Sequence, residues 1–205
     1  MSSADKAAQI LPSLENYDIR VLHAIEQGMI QHKVVPHKEV LRISGLNESE
    51  IYHRLSKLYK HELIYREQEP YLGYLMNYNA YDILALNALV KAEMLEYLGP
   101  SIGIGKEADV YEGVTPDDTK VAVKFHRIGR TSFRDTKRKR EYLADHDHTS
   151  WLYQSRLAAE TEYEALSLMH EAGVQTPNPI YQNRHTIIMP YIKGIEISEI
   201  LVIEN

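Results

Sequence analysis

The sequence contains no cysteine among its 205 residues, which excludes disulfide bonds, thiolate metal sites and a cysteine nucleophile. A chain without thiols fits a reducing compartment. The N-terminus lacks a basic segment followed by an apolar run, so no secretory signal is predicted. No stretch approaches the ~20 apolar residues that are needed to cross a bilayer. We therefore expect a cytoplasmic protein that makes no contact with a membrane.

Glycine (10 residues) and proline (8 residues) are too scarce for a disordered or fibrous chain. Apolar residues make up 44% of the sequence and charged residues 25%, which is typical of a globular protein. The length allows one large domain or two small ones.

The net charge of −6 argues against uniform binding to nucleic acid. The basic residues are nevertheless concentrated in one segment, where only Asp135 opposes them. The pattern fits a solvated basic loop, which is favoured on its own, or a segment that binds phosphate or RNA. The basic residues of the segment are Lys120, Lys124, Arg127, Arg130, Arg134, Lys137, Arg138, Lys139 and Arg140.

Three helices and a hairpin are predicted in the first part of the chain. Residues 1–11 are small and polar and are expected to form a frayed tail. Apolar residues at helical spacing predict a helix over 14–28. Pro36, which suits a first helical turn, and the following Gly45 predict a second helix over His37–Ser44. Asn47, with Glu50 three residues later, predicts a variant capping box at the start of a third helix.

The hairpin is predicted from the Tyr- and Leu-rich segments 63–67 and 71–77, which Pro70 separates. This order of elements predicts a winged helix-turn-helix domain over residues 12–80, in which the third helix is the recognition helix. Its outward face is mixed rather than strongly basic, so binding of RNA or DNA and a role as a docking module stay open. The candidate nucleic-acid contacts on this face are Tyr52, His53, Lys57 and Lys60.

A strongly apolar helix is predicted over residues 81–99, ending at Gly99-Pro100. So much apolar surface on one helix indicates that it packs between two domains. We place the domain boundary there and expect the second domain to span residues 100–205.

Gly103 and Gly105 lie in a predicted strand-turn-strand that opens the second domain. Such a turn allows the backbone to approach phosphates closely, although a lone G-x-G is a weak signal. A second strand then ends in Val-Ala-Val-Lys at Lys124. In protein kinases, a glycine-rich loop is followed by a strand lysine that contacts the α- and β-phosphates.

A carboxylate has to hold that lysine in place, and the helix predicted over about 150–172 offers three. Glu162 is our candidate partner for Lys124, whereas Glu160 and Glu164 are interpreted as solvated. A buried-type strand at 186–189 is then followed by a segment that would be a kinase hinge, 189–194. The Pro190 carbonyl and the Ile192 N–H would bind adenine there, and Pro190 needs no N–H for that role.

These residues resemble the Rio-type atypical protein kinases, of the second Rio subfamily, which carries an N-terminal winged helix. The resemblance covers essentially the whole chain, and its most specific stretch is 124–134. The other matching stretches are 35–36, 81–86, 103–111, 155–159, 162–163, 177–179 and the hinge.

The resemblance implies an α+β fold: a winged helix-turn-helix domain, a linker helix over 81–99, and a kinase-like small lobe with an antiparallel sheet and one main helix. The large lobe, with the catalytic loop and the Mg²⁺ ligands, is expected beyond Asn205. The resemblance also implies Lys124 and Glu162 as catalytic residues and ATP with Mg²⁺ as cofactors. The implied ATP-binding residues are Ser101, Gly103, Gly105, Lys106, Glu107, Val110, Ala122, Lys124, Met189, Pro190 and Ile192.

The family acts in maturation of the small ribosomal subunit, which implies pre-ribosomal RNA and ribosomal proteins as partners of a monomeric kinase or ATPase. Residues of about 130–149 correspond to a flexible loop of the family. The resemblance therefore favours phosphate or RNA contacts for Arg138, Lys139 and Arg140. The alternative function is an RNA- or ribosome-binding module without catalysis of its own.

Two further patterns are interpreted as coincidences. The spacing Asp82 to Asn87 matches a kinase catalytic loop, but it lies in a predicted helix and precedes the glycine turn. Residues 145–148 alternate Asp and His, which in a polar loop is more typical of a solvated segment than of a metal site.

Overall fold

The fold is a computed structural model that describes residues 2–129 and 151–194. The predicted loop at 130–149, with Arg138, Lys139 and Arg140, lies outside the described residues. The first domain contains α1 (Ser3–Ile10), α2 (Asn16–Gly28), β1 (Val35–Pro36), α3 (His37–Ser44), α4 (Glu48–Lys60), β2 (Ile64–Glu67) and β3 (Gly73–Met76). A linker helix and the second domain follow as α5 (Tyr78–Lys91), β4 (Tyr97–Ile104), β5 (Ala108–Val114), β6 (Lys120–His126), α6 (Trp151–Glu171), β7 (Tyr181–Asn183) and β8 (Thr186–Pro190).

The winged helix-turn-helix arrangement is confirmed. α3 has the predicted bounds and ends at Gly45, whose φ of +61° suits glycine at a helix terminus. Asn47 caps α4 by accepting a hydrogen bond from the Glu50 N–H at 2.9 Å. The Glu50 carboxylate binds Arg54 instead of returning to Asn47, so only half of the predicted capping box is present. The wing is a small antiparallel sheet in the order β1-β3-β2.

The prediction of a frayed N-terminal tail was wrong, because residues 3–10 form α1. Ser2 caps this helix in a reciprocal capping box with Asp5. Ala4 and Ala7 are fully buried, and α1 packs along α5. Two small side chains allow the two helices to approach closely, a contact that a short polar sequence does not reveal.

The predicted bounds of the linker helix were also wrong. α5 begins at Tyr78 after an Asn77 cap and ends at Lys91, and β4 then runs through Gly99-Pro100. Because β4 is an edge strand, a proline is tolerated there despite its missing N–H. The strand pairing skips from Leu98 to Ser101 at this point. The change from helix to sheet therefore lies within residues 92–96.

The prediction that the linker helix packs between two domains is confirmed. Residues 80–86 of α5 are all buried, which explains why the helix is apolar around its whole circumference. It contacts α1 and α2 on the winged-helix side and β7 on the other side. No helix in the described part of the chain is long and apolar enough to cross a bilayer.

The second domain is built on an antiparallel sheet in the order β4-β5-β6-β8-β7. One face, which carries Tyr111, Val123 and Ile188, is fully buried. The Tyr111 hydroxyl is hydrogen-bonded to Ser2, at the start of α1. The winged-helix side of the molecule therefore covers this face, and the opposite face is left for α6 and the candidate site.

A buried ion-pair network joins α5 to the sheet. Arg127, directly after β6, is 1% exposed and holds both carboxylate oxygens of Asp82 in α5, at 2.6 and 2.9 Å. Its Nε also donates to Asp109 of β5 at 3.1 Å. His185, between β7 and β8, lies 2.7 Å from the Asp82 carboxylate. Asp82 thus has a structural partner, as expected of a coincidental catalytic-loop pattern.

We expect Arg127→Leu to lower the free energy of unfolding by about 3–5 kcal/mol, because Asp82 and Asp109 would lose their buried counter-charge. Urea unfolding measures this loss. The matched control is Arg66→Leu in β2, where the side chain is exposed and the expected change is within about 0.5 kcal/mol. Equal stability of the two variants would contradict a central role for the network.

Candidate nucleotide-binding site

The predicted pairing of Lys124 with Glu162 is confirmed. Lys124 Nζ lies 2.6 Å from Glu162 Oε1 and 2.7 Å from Oε2. Lys124 is near the end of β6, and Glu162 projects from the middle of α6 onto the same face of the sheet. Both side chains are partly buried, so the ion pair is fixed in place but still reachable from the adjoining surface.

The neighbouring glutamates of α6 behave as predicted for a solvated helix face. Glu160 is paired with Arg156 one turn earlier, at 2.8 Å, and Glu164 is exposed. Of the three candidates, Glu162 is the one that contacts Lys124.

Several predicted ATP-binding residues share one face of the sheet. In the antiparallel ladders Val110 lies opposite Lys124, and Ala122 lies opposite Met189. Directly opposed residues project to the same side, as do residues two apart on one strand. Val110, Ala122, Lys124 and Met189 therefore border a common surface, on the side where Glu162 meets Lys124.

The glycine turn lies at the exposed edge of this surface. A side chain at Gly103 would meet open space, whereas a Cβ at Gly105 would lie 3.1 Å from the Ala108 carbonyl oxygen. The Gly105 N–H donates to that oxygen at 2.8 Å and closes the turn. Pairing with β5 is irregular between Ser101 and Gly103. Ser101, Lys106 and Glu107 are exposed around the turn.

The predicted hinge begins where β8 ends. Pro190 is the last residue of β8 and pairs with Val121. Ile192 follows and is largely exposed, and the Tyr191 ring lies 5.5 Å from Lys120 Nζ. The candidate adenine contacts thus lie at one end of the sheet surface, and the lysine–glutamate pair lies farther along it.

The sequence analysis did not single out His126, which lies beside the ion pair. Its Nε2 is 3.3 Å from Glu162 Oε2, a close electrostatic contact rather than a well-aligned hydrogen bond. Burial lowers the pKa of His126 to about 4, so the imidazole is neutral at pH 7. Its position two residues after Lys124 on one strand places it on the same face, and that spacing was the available signal.

The candidate nucleic-acid face on α4 is only partly available. Tyr52, His53 and Lys60 are exposed. Lys57 instead binds the buried Asp18 carboxylate of α2 at 2.6 Å and the Ser13 carbonyl at 3.1 Å. Lys57 therefore holds α4 against the first helices of its own domain, which corrects its assignment as a free cation for nucleic acid.

Metal-binding clusters are not found in residues 2–129 and 151–194, where no group of three His, Asp or Glu side chains is arranged to hold a metal ion. The Asp-His alternation at 145–148 lies outside these ranges.

Two family models match the chain in sequence. The Rio2 N-terminal domain matches residues 11–92, and the RIO domain matches residues 109–205. The serine/threonine-protein kinase rio2 of Dictyostelium discoideum is 36% identical over 192 residues, which cover 94% of this chain and 37% of that protein. The RIO-type kinase Rio2 of Methanocaldococcus jannaschii is 41% identical over 172 residues, covering 84% of this chain and 62% of that protein.

A solved structure supports the same relationship. The Rio2 kinase of Chaetomium thermophilum, in an ADP/Mg²⁺-phosphoaspartate complex, superposes with a TM-score of 0.83 at 33% identity. The match covers 96% of this chain and 58% of that one. The chain thus spans less than two thirds of the length of each of these relatives.

The stability of the protein should fall as the pH decreases from 7 to 5. Burial lowers the pKa of His126 to about 4 and also lowers that of His185. Unfolding returns both imidazoles to about 6.5, so the unfolded chain takes up protons in this interval that the folded chain does not. We expect His126→Gln to make the decline shallower by on the order of 1 kcal/mol.

Urea unfolding at each pH measures the decline, and His53→Gln on exposed α4 is the control with the wild-type slope. Burial raises the pKa of Glu26, but His23 and Arg184 together lower it to about 2. Protonation of Glu26 therefore affects stability only below about pH 4.5, the ordinary pKa of a glutamate. It does not interfere above pH 5. An unchanged slope for His126→Gln would contradict a neutral buried imidazole.

Proposed function

We propose that this chain provides the ATP-binding part of a serine/threonine kinase or ATPase, because it belongs to the Rio2 family of protein kinases. The observation that carries the proposal is the Lys124–Glu162 pair, on the sheet face that also bears Val110, Ala122 and Met189. In protein kinases this lysine–glutamate pair has to be in place for phosphoryl transfer.

The geometry suggests an orientation for the nucleotide. Adenine would lie against Ala122 and Met189 and reach the backbone of Pro190 and Ile192. The phosphates would then run along the sheet to Lys124, under the turn at Gly103 and Gly105. A lysine already held by a carboxylate needs little reorganisation to bind an anion, which is how preorganised charges act in active sites.

Magnesium accompanies ADP in the Chaetomium thermophilum complex, and its role here would be to neutralise phosphate charge. The described residues do not offer a suitable set of carboxylates. We assign the metal ligands, with the residue that orients the acceptor hydroxyl, to a part of the kinase outside the described residues, since the match covers only 58% of that Rio2 structure.

Lys124→Ala should lower kcat for ATP hydrolysis or autophosphorylation by about 100-fold or more in the full-length protein, because a phosphate-binding charge is removed. Phosphate release and incorporation of labelled phosphate measure it. The control is Lys91→Ala, which removes an exposed lysine at the end of α5 and should leave kcat unchanged. Undiminished turnover in a folded Lys124→Ala protein would contradict the role of Lys124.

A second function, binding to RNA of the small ribosomal subunit precursor, is favoured by the exposed Tyr52, His53 and Lys60 on α4. Aromatic and basic side chains together can stack on bases and contact phosphates. In this proposal the protein is a monomer in the cytoplasm, the precursor particle supplies RNA and ribosomal proteins as partners, and the winged helix contributes to docking. The same surface would serve a binding module without catalysis.

Replacing Arg138, Lys139 and Arg140 together by alanine should reduce the slope of log Kd against log salt concentration by about 2. Each phosphate contact with single-stranded RNA contributes about 0.7 to that slope. A salt titration of RNA binding by fluorescence anisotropy measures the change. Lys91→Ala again serves as the control, and a slope that the triple replacement leaves intact would remove these residues from the interface.

A further inference from the structure

A second cleft, with a volume of about 790 Å³, lies away from the nucleotide surface. It is a half-open cleft bordered by α2, β3, α5, the first turns of α6 and the turn between β7 and β8. That turn is at the opposite end of β8 from Pro190. A molecule in this cleft would therefore not overlap a nucleotide that is bound between the hinge and Lys124.

The apolar wall of the cleft comes from both domains. Met29, directly after α2, Met76 of β3 and Leu152 of α6 line the cleft, and Ile30 stands at the exposed rim. Methionine side chains adapt to ligands of different shapes. The volume lies within the range of about 300–1,000 Å³ that is usual for sites of small organic molecules.

Tyr81 is a polar group on this wall that lacks a partner. The residue is only 3% exposed, and its ring stacks on His185 with the centroids 4.5 Å apart. Within residues 2–129 and 151–194 its hydroxyl makes no hydrogen bond, and it is not one of the buried side-chain atoms that lack a partner, so it reaches the open space of the cleft. Burial raises the pKa of Tyr81, so the hydroxyl keeps its proton and can donate. A hydroxyl at the wall of a cleft that has no protein acceptor is available to a ligand.

Arg156 supplies a second donor on the same cleft. Its Nε binds Glu160 at 2.8 Å, while its two terminal nitrogens have no partner in the described part of the chain. The planar end of a guanidinium is suited to the oxygens of a carboxylate, phosphate or sulfonate. Tyr81 and Arg156 are close enough for each to shift the pKa of the other.

The remaining charges limit the ligand to a single anionic group. Arg184 is fully engaged: it holds Glu26 through two hydrogen bonds of 2.7 Å and also binds Asn183 and the Leu84 carbonyl. Glu26 and Glu160 balance Arg184 and Arg156. A polyphosphate or a nucleic acid would place further negative charge beside Glu26 without enough free cations among the lining residues, whereas one anionic group can use the open end of Arg156.

We propose that this cleft binds a small organic anion, in which one carboxylate, phosphate or sulfonate is attached to an apolar body. The anionic oxygens accept hydrogen bonds from the Tyr81 hydroxyl and the Arg156 terminal nitrogens. The apolar body packs on Met29, Met76 and Leu152. The site joins the winged helix to the helix that carries Glu162, and it is independent of the proposed nucleotide function.

The probe for the test is 8-anilinonaphthalene-1-sulfonate, an apolar body with one anionic group whose fluorescence increases on leaving water. We expect saturable binding at one site, which saturating Mg-ATP does not displace. Tyr81→Phe and Arg156→Gln should each raise the Kd about tenfold, because each removes a hydrogen bond to a charged group. Displacement of the dye by Mg-ATP would overturn the assignment.

The matched controls are Tyr65→Phe and Arg66→Gln, both at exposed positions of β2, which should keep the wild-type Kd. Neither test variant removes buried apolar volume, so both should fold, and thermal unfolding checks this. Ile30→Trp at the rim should obstruct entry to the cleft and so weaken binding of the dye without changing Tyr81 or Arg156. Equal Kd values for the test and control variants would exclude the proposed site.

Competition then identifies the anion. 1-Naphthyl phosphate and 1-naphthoate carry the same apolar body, and the better competitor shows whether phosphate or carboxylate is preferred. N-Phenyl-1-naphthylamine, which lacks the sulfonate, should bind at least tenfold more weakly than the sulfonated dye. Failure of both anions to displace the dye, or equal binding of the neutral compound, would overturn recognition of an anion.

Discussion

The position of the candidate site depends on one buried cation. Arg127 is enclosed by Asp82 of α5, Asp109 of β5 and His185 of the turn before β8, so a single guanidinium joins the linker helix to the sheet. The Arg127 charge lowers the pKa of Asp82 against the burial that raises it, and both carboxylates depend on that charge. A buried ion pair adds little net stability, but breaking one is costly. The network therefore determines how α5 is positioned against the sheet, and it contributes little net stability beyond that.

Because Arg127 holds α5 against the sheet, the two faces of the sheet have different roles. Arg127 follows β6 by one residue, and Lys124 lies on that strand with its side chain on the other face. One face is covered by α5 and by the first domain, as the contact of Tyr111 with Ser2 shows. The opposite face keeps Val110, Ala122 and Lys124 beside α6. The winged helix thus acts as a structural cover of the lobe as well as a candidate binding module.

The sequence predicted correctly those features that depend on residues close together in the chain or on a known motif. The bounds of α3 and the Asn47 cap follow from nearby residues, and the Lys124–Glu162 pair follows from a motif with a known geometric purpose. The failures share another cause: they depend on partners far away in the chain. α1 becomes a helix because Ala4 and Ala7 fit against α5, and Lys57 is taken up by Asp18. Spacing within one segment contains no information on such contacts, so Tyr81 became visible only with the fold. His126 differs, because its position two residues after Lys124 on β6 was a local signal.

The same distant contacts decide where Glu162 can be. In α6, Ser155 accepts a hydrogen bond from the Ile128 N–H at 2.9 Å and is hydrogen-bonded to the Tyr78 hydroxyl at 2.7 Å. Tyr78 is the first residue of α5, so the linker helix holds α6 two turns before Glu162. Beyond Glu162 the last turns of α6 are largely exposed. The carboxylate that positions Lys124 is therefore held from the side of the linker helix, and a displacement of α5 would reach the candidate site through these two hydrogen bonds.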